Sequence, residues 1–307
     1  MRQTPSNADR SAPAAMSIDV EDWFHVENLK RAIPRETWER RQLRVERNTD
    51  RMLALLDQHD ARCTFFVLGW VAERCPGLVE RIAAADHEVA CHGYGHDLVY
   101  ELSQTEFRED VRRCKELLED LAGTAVRGYR APSFSIAEWS IPILQELGFA
   151  YDSSAFPTLA HDRYGKLPGV VAGKQVVELL PGFHEVCVSC LMVGSRGLPW
   201  GGGGYFRLMP YGVFRRGVAR ILRSGEPYVF YIHPWEVDPD QPRVSGLPRL
   251  HEFRHYVGLG RAEDRFKSLL EDFRWGSVAD VLSRRGLDPA PRPGPPEAAR
   301  RTRAPDR

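Results

Sequence analysis

The sequence predicts an α/β protein folded as a distorted (β/α) barrel of about seven parallel strands. Continuous apolar runs, which are typical of strands buried on both faces, alternate with amphipathic helical segments throughout residues 16–287. Several of these runs end in clusters of ionisable residues, as strands do at the catalytic mouth of such a barrel. The length fits one unit, because α/β barrels reach about 250 residues as a single domain.

The predicted strands are short and apolar. The run CTFFVL at residues 63–68 has the composition of a central parallel strand. The other runs differ in length but share the apolar character and the alternation with helical segments, which favours a parallel sheet. We predict strands at residues 16–20, 63–68, 87–91, 126–130, 149–152, 176–180 and 228–233.

The predicted helices carry recognisable start signals. Pro76 stands in the first turn of one helix, where its missing N–H has no consequence. Ser103-Gln-Thr-Glu106 matches a capping box, and the helix behind it has apolar residues on one face at spacings of three and four. We predict helices over residues 48–59, 76–85, 104–121 and 138–147.

Composition excludes several classes of protein. The chain has 42 Lys and Arg residues and 42 Asp and Glu residues, whereas proteins that bind nucleic acid usually have a basic excess, so no nucleic-acid partner is expected. No apolar run approaches the roughly 18 residues of a membrane span. The first residues lack the apolar core of a signal peptide. These observations predict a cytoplasmic protein without a transmembrane segment, and they leave its oligomeric state open.

The two ends differ from the body of the chain. Residues 1–15 are polar, and residues 288–307 contain six prolines and five arginines. Neither stretch can bury enough apolar surface to offset chain entropy, so both are predicted to be disordered. Residues 16–287 are predicted to form one catalytic domain. Its six cysteines are too few for a disulfide scaffold, and the Cys187-x-x-Cys190 pair is weak evidence for a zinc or redox function.

Ionisable residues gather where five of the predicted strands end. Parallel strands of a barrel bring their carboxyl ends to one mouth, so residues far apart in sequence are expected to meet there. One cluster alone is weak evidence, whereas their joint position is strong evidence. The clusters are Asp19-Val-Glu21-Asp22, His92-Gly-Tyr-Gly-His96, Arg130, Asp152 and His233-Pro-Trp-Glu236.

This set of residues suits metal-assisted hydrolysis. Two histidines four residues apart and a carboxylate from another strand form a three-ligand site that leaves positions open, which is the pattern of a catalytic metal. Such a metal lowers the pKa of water to roughly 7 and polarises a carbonyl. A second carboxylate can take the proton of the water, an unliganded histidine can protonate the leaving group, and an arginine can hold the base. The sequence offers a candidate for every role.

The motifs resemble those of the polysaccharide deacetylase family (carbohydrate esterase family 4, the NodB homology domain). That family removes N-acetyl groups from sugars with a metal ion held in a distorted barrel. The resemblance implies that Asp19 is the catalytic base and that His92 and His96 bind the metal. It also implies a metal-binding carboxylate next to the base, which here is Glu21 or Asp22. Strand alternation slightly favours Glu21, whereas a turn beginning at Val20 would present Asp22.

The remaining motifs of the family also have counterparts, in the same order along the chain. The resemblance implies that Arg130, followed by Pro132, orients the base. It implies that Asp152 tunes the catalytic acid, and that His233 is this acid and donates a proton to the departing amine. The metal that the resemblance implies is a divalent ion, with Zn²⁺ as the first candidate. The region from about 155 to 280 resembles the extra region of a subfamily that accompanies bacterial exopolysaccharide synthesis and exosortase (PEP-CTERM) loci.

The expected function is therefore removal of N-acetyl groups from an amino sugar of a bacterial exopolysaccharide or its precursor. Aromatic residues near the motifs are expected to supply surfaces on which sugar rings stack, with two or three of them in contact with the saccharide. The candidates for substrate binding are Trp23, Tyr94, Phe134, Trp200, Tyr205 and Trp235, together with Pro132.

Two other functions remain open from the sequence. A same-fold amidohydrolase acting on a small cyclic amide such as allantoin would have a narrow, closed pocket. A catalytically silent saccharide-binding protein would bind no metal. A zinc protease is not expected, although His251-Glu-Phe-Arg-His255 matches the HExxH pattern. Pro248, Gly258 and Gly260 leave room for only about two helical turns, so we interpret this match as a coincidence.

Overall fold

The computed structural model describes residues 14–158 and 164–287. Eleven strands are present in these ranges, most of them only two to five residues long. They are β1 Ala14–Val20, β2 Thr64–Val67, β3 Glu88–Cys91, β4 Gly128–Tyr129, β5 Tyr151–Asp152, β6 Val176–Leu180, β7 Phe183–Val186, β8 Cys190–Val193, β9 Arg196–Pro199, β10 Tyr228–Ile232 and β11 Trp275–Gly276.

The main sheet confirms the predicted fold class. Its strand order is β10-β1-β2-β3-β4-β5-β7-β6, and β11 pairs with the start of β1. Seven consecutive strands, from β10 to β7, are parallel. Between β7 and β10 the barrel is closed by irregular backbone, where Val188 N–H donates to Ala155 O and Ser189 N–H donates to Val229 O at 3.2 Å. The barrel is therefore distorted, with one loosely closed seam.

The described helices number ten, and they alternate with the strands. The predicted capping box at Ser103 and Glu106 is present at the start of α4. None of the described helices is long and apolar enough to cross a bilayer. The helices are α1 Val45–Gln58, α2 Gly69–Arg74, α3 Pro76–Ala84, α4 Gln104–Ala122, α5 Ser140–Glu146, α6 Gly203–Leu208, α7 Tyr211–Arg223, α8 Arg249–Tyr256, α9 Ala262–Asp272 and α10 Val278–Arg284.

The strand predicted at residues 176–180 is present, but it does not occupy a parallel position in the barrel. Residues 176–180 form β6, the antiparallel edge strand, and the parallel strand beside β5 is β7, which the sequence did not predict. Gly182, with a φ of 72°, closes the tight turn that joins them. The prediction missed β7 because its four residues, FHEV, include two ionisable ones, of which Glu185 is fully buried.

The first strand begins earlier than predicted. Ala14 and Ala15, assigned to a disordered extension, pair with β10 on one side and with β11 on the other. Small apolar side chains fit this position, and both alanines are buried. The rest of the predicted disordered ends, 1–13 and 288–307, lies outside the described residues.

A long connection leads from β1 to α1. We call residues 21–44 the β1–α1 loop. It contains two 3-10 turns, Glu27–Leu29 and Arg35–Arg40. Its buried aromatic side chains pack on Trp70 of α2. The loop therefore folds over the mouth of the barrel, next to the residues that end β1 and β3.

Candidate active site

Glu21, His92 and His96 converge at the carboxyl ends of β1 and β3. One side-chain donor atom from each lies within 4.8 Å of the others, and this is the one such group of three among the described residues. Glu21 Oε1 lies 2.9 Å from His92 Nε2 and 3.0 Å from His96 Nε2. All three side chains are buried. The sequence-based preference for Glu21 as partner of the histidines agrees with this geometry.

The backbone orients both imidazoles. His92 Nδ1–H donates to Arg130 O at 2.8 Å, which leaves the Nε2 lone pair facing Glu21. His96 has a φ of 58°, in the left-handed region that residues other than glycine rarely adopt. Such strain is found at functional sites, where the surrounding structure holds it. The loop 92–96 is thus shaped to turn its second histidine back toward Glu21.

These residues fit a divalent metal ion. In the neutral imidazole that donates from Nδ1 to Arg130 O, the Nε2 lone pair lies 2.9 Å from the Glu21 carboxylate, and a cation between these two acceptors would satisfy both. Two imidazole nitrogens and one carboxylate oxygen form the ligand set of many catalytic zinc sites. The hydrogen bond from His92 to a carbonyl is the outer support that metal-binding histidines usually have.

The charges in the site are strongly coupled. Burial raises the pKa of Glu21, but His96, His233 and His92 outweigh burial and hold that pKa well below its usual range. Burial lowers the pKa of His96, but Glu21 raises it above its usual value. The carboxylate of Glu21 is therefore the negative centre around which the imidazoles are arranged.

Asp22, the alternative metal ligand, is not in this group. Its carboxylate accepts hydrogen bonds from the backbone N–H groups of Arg44, Val45 and Trp23 at 2.6–2.9 Å. Burial, only partly offset by these bonds, raises its pKa to about 6. The chain turns after Asp19, where Glu21 N–H donates to Asp19 O. This turn sends Asp22 toward the start of α1, so the structure contradicts its placement at the metal.

Asp19 and Arg130 form a buried pair on one flank of the site. Arg130 Nη1 lies 2.6 Å from Asp19 Oδ1, and Arg130 is fully buried. Its other donors bond Ser17 Oγ, Ser153 O and Ser153 Oγ at 2.9 Å each. The guanidinium also lies over the ring of Phe66, 4.0 Å from its centroid. Arg130 is therefore held from all sides, and Asp19 keeps Oδ2 directed to the site.

His233 lies on the opposite flank. Its Nε2 is 3.9 Å from Asp19 Oδ2 and 3.9 Å from Glu21 Oε1. Its Nδ1 donates to Glu236 Oε1 at 2.9 Å. Burial lowers the pKa of His233, but Glu21, Glu236 and Asp19 raise it to about 9. The imidazole thus presents an Nε2–H to the centre of the site.

Glu236 and its partner Arg207 have roles that the sequence did not predict. Arg207 Nε lies 2.6 Å from Glu236 Oε2, and both side chains are buried. Burial raises the pKa of Glu236, but Arg207 and His233 lower it to about 2. A Cβ atom at Gly203 would lie 2.2 Å from Glu236 Oε1, so only glycine lets α6 approach this carboxylate. Glu236 belongs to the last cluster of ionisable residues in the sequence, whereas no sequence pattern indicates Arg207.

The resemblance implied that Asp152 tunes His233, but the partners of Asp152 in the described residues are Ser154 and Glu185. Asp152 Oδ1 accepts from Ser154 Oγ at 2.5 Å, and the carboxyl group is hydrogen-bonded to that of Glu185 on β7. Burial raises the pKa of Asp152 to about 6, and burial and Asp152 raise that of Glu185 well above its usual range. Asp152 therefore has Glu185 as its carboxyl partner, because β5 pairs with β7 and not with β10.

A small cavity of about 80 Å³ opens onto these groups. Phe134 and Trp235, two of the predicted sugar-contacting residues, line it. Trp235 stacks on His233 with ring centroids 5.2 Å apart. Tyr164 and Tyr231 were not predicted as substrate contacts and complete its aromatic wall. The other residues that line the cavity are Asp19, Glu21, Val26, Glu27, Asn28, Ser133 and His233.

The other predicted substrate residues do not line this cavity. Trp200 is a core residue that stacks on Phe214 and donates its indole N–H to Phe214 O. Tyr94 donates its hydroxyl to Glu73 beneath the guanidinium of Arg113. Both side chains serve packing. Their position near a motif in the sequence cannot show whether an aromatic residue packs in the core or binds substrate. Three more predicted residues lie outside the lining of the cavity. Trp23 donates to Gln42 O, Tyr205 is half-buried on α6, and Pro132 is buried in a 3-10 turn.

The turn after Arg130 is strained. Ser133 and Phe134 have φ values of 52° and 59°, both in the left-handed region. Two such residues in succession cost of order 1–3 kcal/mol each. Both residues line the cavity, so the strain lies in its wall.

The two other motifs in the sequence have structural roles. His255 Nε2 bonds Gln241 Oε1 at 2.7 Å, and its backbone carbonyl accepts from Arg207. The HExxH match on α8 therefore supports the Arg207–Glu236 pair and belongs to no metal-binding group in the described ranges. Cys187 and Cys190 are free and buried, like the other four cysteines.

Two family models match most of the chain. A polysaccharide deacetylase family model matches residues 37–151, and a family model described as a domain of unknown function (DUF3473) matches residues 153–283. The first match contains His92, His96 and Arg130, and the second contains His233. The site thus draws on both matched regions and on the residues that precede them.

Curated relatives are similar over part of their length. A peptidoglycan-N-acetylglucosamine deacetylase from Bacillus cereus is 31% identical over 120 residues, covering 34% of this chain and 44% of the relative. A peptidoglycan deacetylase from Helicobacter pylori is 31% identical over 104 residues, covering 34% and 36%. The chain thus spans less than half the length of these curated relatives.

A solved structure shares the whole fold. A protein from Mycobacterium smegmatis, assigned as a polysaccharide deacetylase, superposes with a TM-score of 0.59 at 22% identity over 94% of this chain and 96% of its own. At this identity the likeness speaks for the fold alone. The family match and the curated relatives show that residues 37–151 belong to a polysaccharide deacetylase domain of the NodB (carbohydrate esterase family 4) type.

Proposed function

We propose that this protein is a metal-dependent N-deacetylase acting on an N-acetylated amino sugar. The observation that carries the proposal is the convergence of Glu21, His92 and His96, with Asp19 on one flank and His233 on the other. A metal site between a candidate base and a candidate acid is what hydrolysis of an unactivated amide needs. The curated relatives named as deacetylases support this reading.

Glu21, His92 and His96 would hold the ion, which we propose to be Zn²⁺ because this ligand set suits it. Bound there, it would polarise the acetamide carbonyl and make water acidic enough to lose a proton near neutral pH. Asp19 Oδ2 would take that proton as water attacks the carbonyl carbon. Arg130 holds Asp19 in place through the 2.6 Å bond. Backbone N–H groups of the strained turn at Ser133 are candidates for binding the developing oxyanion.

His233 would complete the reaction as the general acid. Its Nε2–H, directed to the centre of the site, would protonate the nitrogen as the C–N bond breaks, releasing acetate and a free amine. Glu236 accepts the Nδ1 proton and fixes both the tautomer and the ring orientation. Arg207 keeps Glu236 charged and in position. Two linked side chains, Glu236 and Arg207, both outside the metal group, thus prepare the proton donor.

For the substrate, we propose an amino sugar of an exopolysaccharide or its precursor. The aromatic wall of Phe134, Tyr164, Tyr231 and Trp235 suits the apolar face of a sugar. The Bacillus cereus relative named for N-acetylglucosamine supports an N-acetyl hexosamine as the reacting unit. Cell fractionation tests whether the enzyme meets a cytoplasmic precursor or a finished polymer.

A second function is favoured by one observation. The catalytic cavity is small, about 80 Å³, and aromatic side chains form much of its wall. A small cavity is what hydrolysis of a small cyclic amide would require, as in the allantoinase-like alternative. The two functions differ in product, because a deacetylase releases acetate whereas ring opening of allantoin releases none.

Metal analysis followed by acetate release tests the proposal. Purified protein is expected to bind one zinc ion, and Glu21→Ala is expected to lose it. Asp22→Ala is the matched control, since Asp22 bonds only backbone N–H groups and its loss should leave the metal in place. Acetate release from N-acetyl-chitooligosaccharides supports the deacetylase. Activity on allantoin without acetate release would establish the alternative, and a protein without metal and activity would be a silent binder.

A further inference from the structure

Residues 186–225 are basic within a chain that is neutral overall. They contain six arginines and no acidic residue, although acidic and basic residues balance over the whole chain. We call this stretch, which lies between Glu185 and Glu226, the acid-free segment. It includes β8, β9, α6 and α7. Because none of its own side chains can neutralise these arginines, a counter-charge must come from another part of the protein or from a ligand.

Two of the six arginines find a carboxylate within the protein. Arg207 pairs with Glu236 in the core, and Arg215 lies 2.9 Å from Asp272 on α9. The other four are exposed, and none of them forms an ion pair with a residue that the structure describes. These four are Arg196, Arg216, Arg220 and Arg223. Their positive charges are therefore available to a partner outside the chain.

Three of these four arginines form a stripe along α7. Arg216, Arg220 and Arg223 follow one another at spacings of four and three, which places them on one face of the helix. Val213 begins the same stripe one turn earlier. The apolar stripe of this helix is buried in the core and consists of Phe214, Val218 and Ile221. The helix therefore packs through its apolar stripe and presents its arginines to the solvent.

Exposed aliphatic side chains lie in the same segment. Of the nine large apolar side chains that are exposed in the described ranges, four belong to it, each between 43% and 51% exposed. Leu208 and Val213 flank the turn from α6 into α7, whereas Val193 and Leu198 share one face of the β8–β9 hairpin with Arg196. β8 packs against α7. Two neighbouring elements thus each combine exposed aliphatic groups with an arginine that has no ion pair.

We propose that the acid-free segment docks the protein on the surface of a membrane that contains anionic lipids. The guanidinium groups of the α7 stripe bind lipid phosphates, and the aliphatic side chains enter the layer beneath the headgroups. Each arginine held near such a surface strengthens binding roughly fivefold. A nucleic acid also attracts arginines, but it offers no apolar layer for the aliphatic groups. The inference does not depend on the proposed function, because none of these residues lines the catalytic cavity.

Three variants test the docking surface. The α7 variant removes the charges of the stripe and is Arg216→Gln/Arg220→Gln/Arg223→Gln. The matched control removes three exposed arginines of the β1–α1 loop and α8 that also form no ion pair with a described residue, and is Arg31→Gln/Arg40→Gln/Arg249→Gln. Leu208→Gln/Val213→Gln removes aliphatic groups without a change of charge. All these side chains are exposed, so each variant should unfold at the temperature of wild type, which thermal unfolding checks.

Sedimentation with vesicles measures the binding. We expect wild type to bind equimolar phosphatidylcholine and phosphatidylglycerol but not phosphatidylcholine alone, and NaCl to weaken the binding by screening the charges. The α7 variant should lose about 100-fold in affinity and part of the salt dependence. The control variant should lose no more than about threefold, because screening weakens the effect of distant charges. Leu208→Gln/Val213→Gln should lose roughly tenfold and keep the salt dependence of wild type.

Three outcomes would overturn the docking surface. The first is that wild type does not bind anionic vesicles. The second is an equal loss in the α7 variant and in the control, because net charge and not its placement would then explain the binding. The third is that wild type binds a short DNA duplex more tightly than vesicles and that the α7 variant weakens this binding, which would assign the arginines to nucleic acid.

Discussion

The two flanks of the site use a buried arginine in different ways. Arg130 contacts Asp19 directly, whereas Arg207 reaches His233 only through Glu236. On the first flank the carboxylate itself faces the reacting groups. On the second flank it supports an imidazole that does. A buried charge pair can thus either prepare a proton acceptor or position a proton donor, and the number of links between the arginine and the cavity distinguishes the two.

The largest expected difference between the flanks is kinetic. Asp19→Asn and His233→Ala should each lower kcat on an N-acetyl sugar by roughly 10²–10⁴-fold, the usual contribution of a general base or acid. On an activated aryl acetate, whose leaving group needs no proton, His233→Ala should lose much less than Asp19→Asn. Rates on both substrates, with metal content measured alongside, check this. Equal losses for His233→Ala on both would assign it to folding or metal binding.

The next effect is on stability and concerns the second flank. Arg207→Met leaves Glu236 buried without its cation, so we expect the free energy of unfolding to fall by about 3–5 kcal/mol. Arg215→Met is the control, because the Arg215–Asp272 pair is largely exposed and should be worth about 1 kcal/mol or less. Urea unfolding gives both values. Similar losses in the two variants would contradict a special role for the Arg207–Glu236 pair.

Glu236→Gln separates positioning from charge on that same flank. Its side-chain oxygen can still accept the His233 Nδ1 proton, while the negative charge is lost. We expect roughly a 10–100-fold fall in kcat on the amide, as for other outer supports of catalytic histidines, and little change on the aryl acetate. Glu236→Ala, which also removes the acceptor, should fall further. An amide rate in Glu236→Gln equal to wild type would remove this residue from the mechanism.

The smallest effect concerns the carboxyl pair behind Arg130. Glu185 has a raised pKa in the folded protein, so its contribution to stability is complete below its unfolded pKa and is lost as the pH rises through the folded value. Glu185→Gln mimics the protonated carboxyl group at every pH, so its free energy of unfolding should not fall in this way as the pH rises. Between pH 5 and pH 8 the free energy of unfolding of the variant should therefore rise relative to that of wild type by about 1 kcal/mol or more.

Urea unfolding at the two pH values measures this change. Glu80→Gln, at an exposed position, is the control and should show a constant difference from wild type. If the difference between Glu185→Gln and wild type also stays constant, Glu185 is ionised in the fold and does not share a proton with Asp152.

The two flanks also differ in how far sequence could predict them. Asp19 and Arg130 follow strands whose apolar runs are clear, so their meeting could be expected from barrel geometry. Arg207 lies on a short helix in a glycine-rich stretch, with no periodicity that points to the last strand. Glu185 was missed because a four-residue strand with two ionisable residues has no strand pattern. Local patterns predict strand ends, whereas partners joined by loops depend on packing that they do not encode.

The glycine run at residues 201–204 limits the substitutions that the chain can tolerate. Gly203 has no room for a methyl group beside Glu236, whereas nothing lies within 4 Å of a Cβ at Gly204. The run is thus a spacer of fixed thickness and not a hinge. In a random library, alanine should be frequent at residue 204 and rare at residue 203, although the two glycines are adjacent and look identical in the sequence. The space around each Cβ position therefore decides which of these glycines can be replaced.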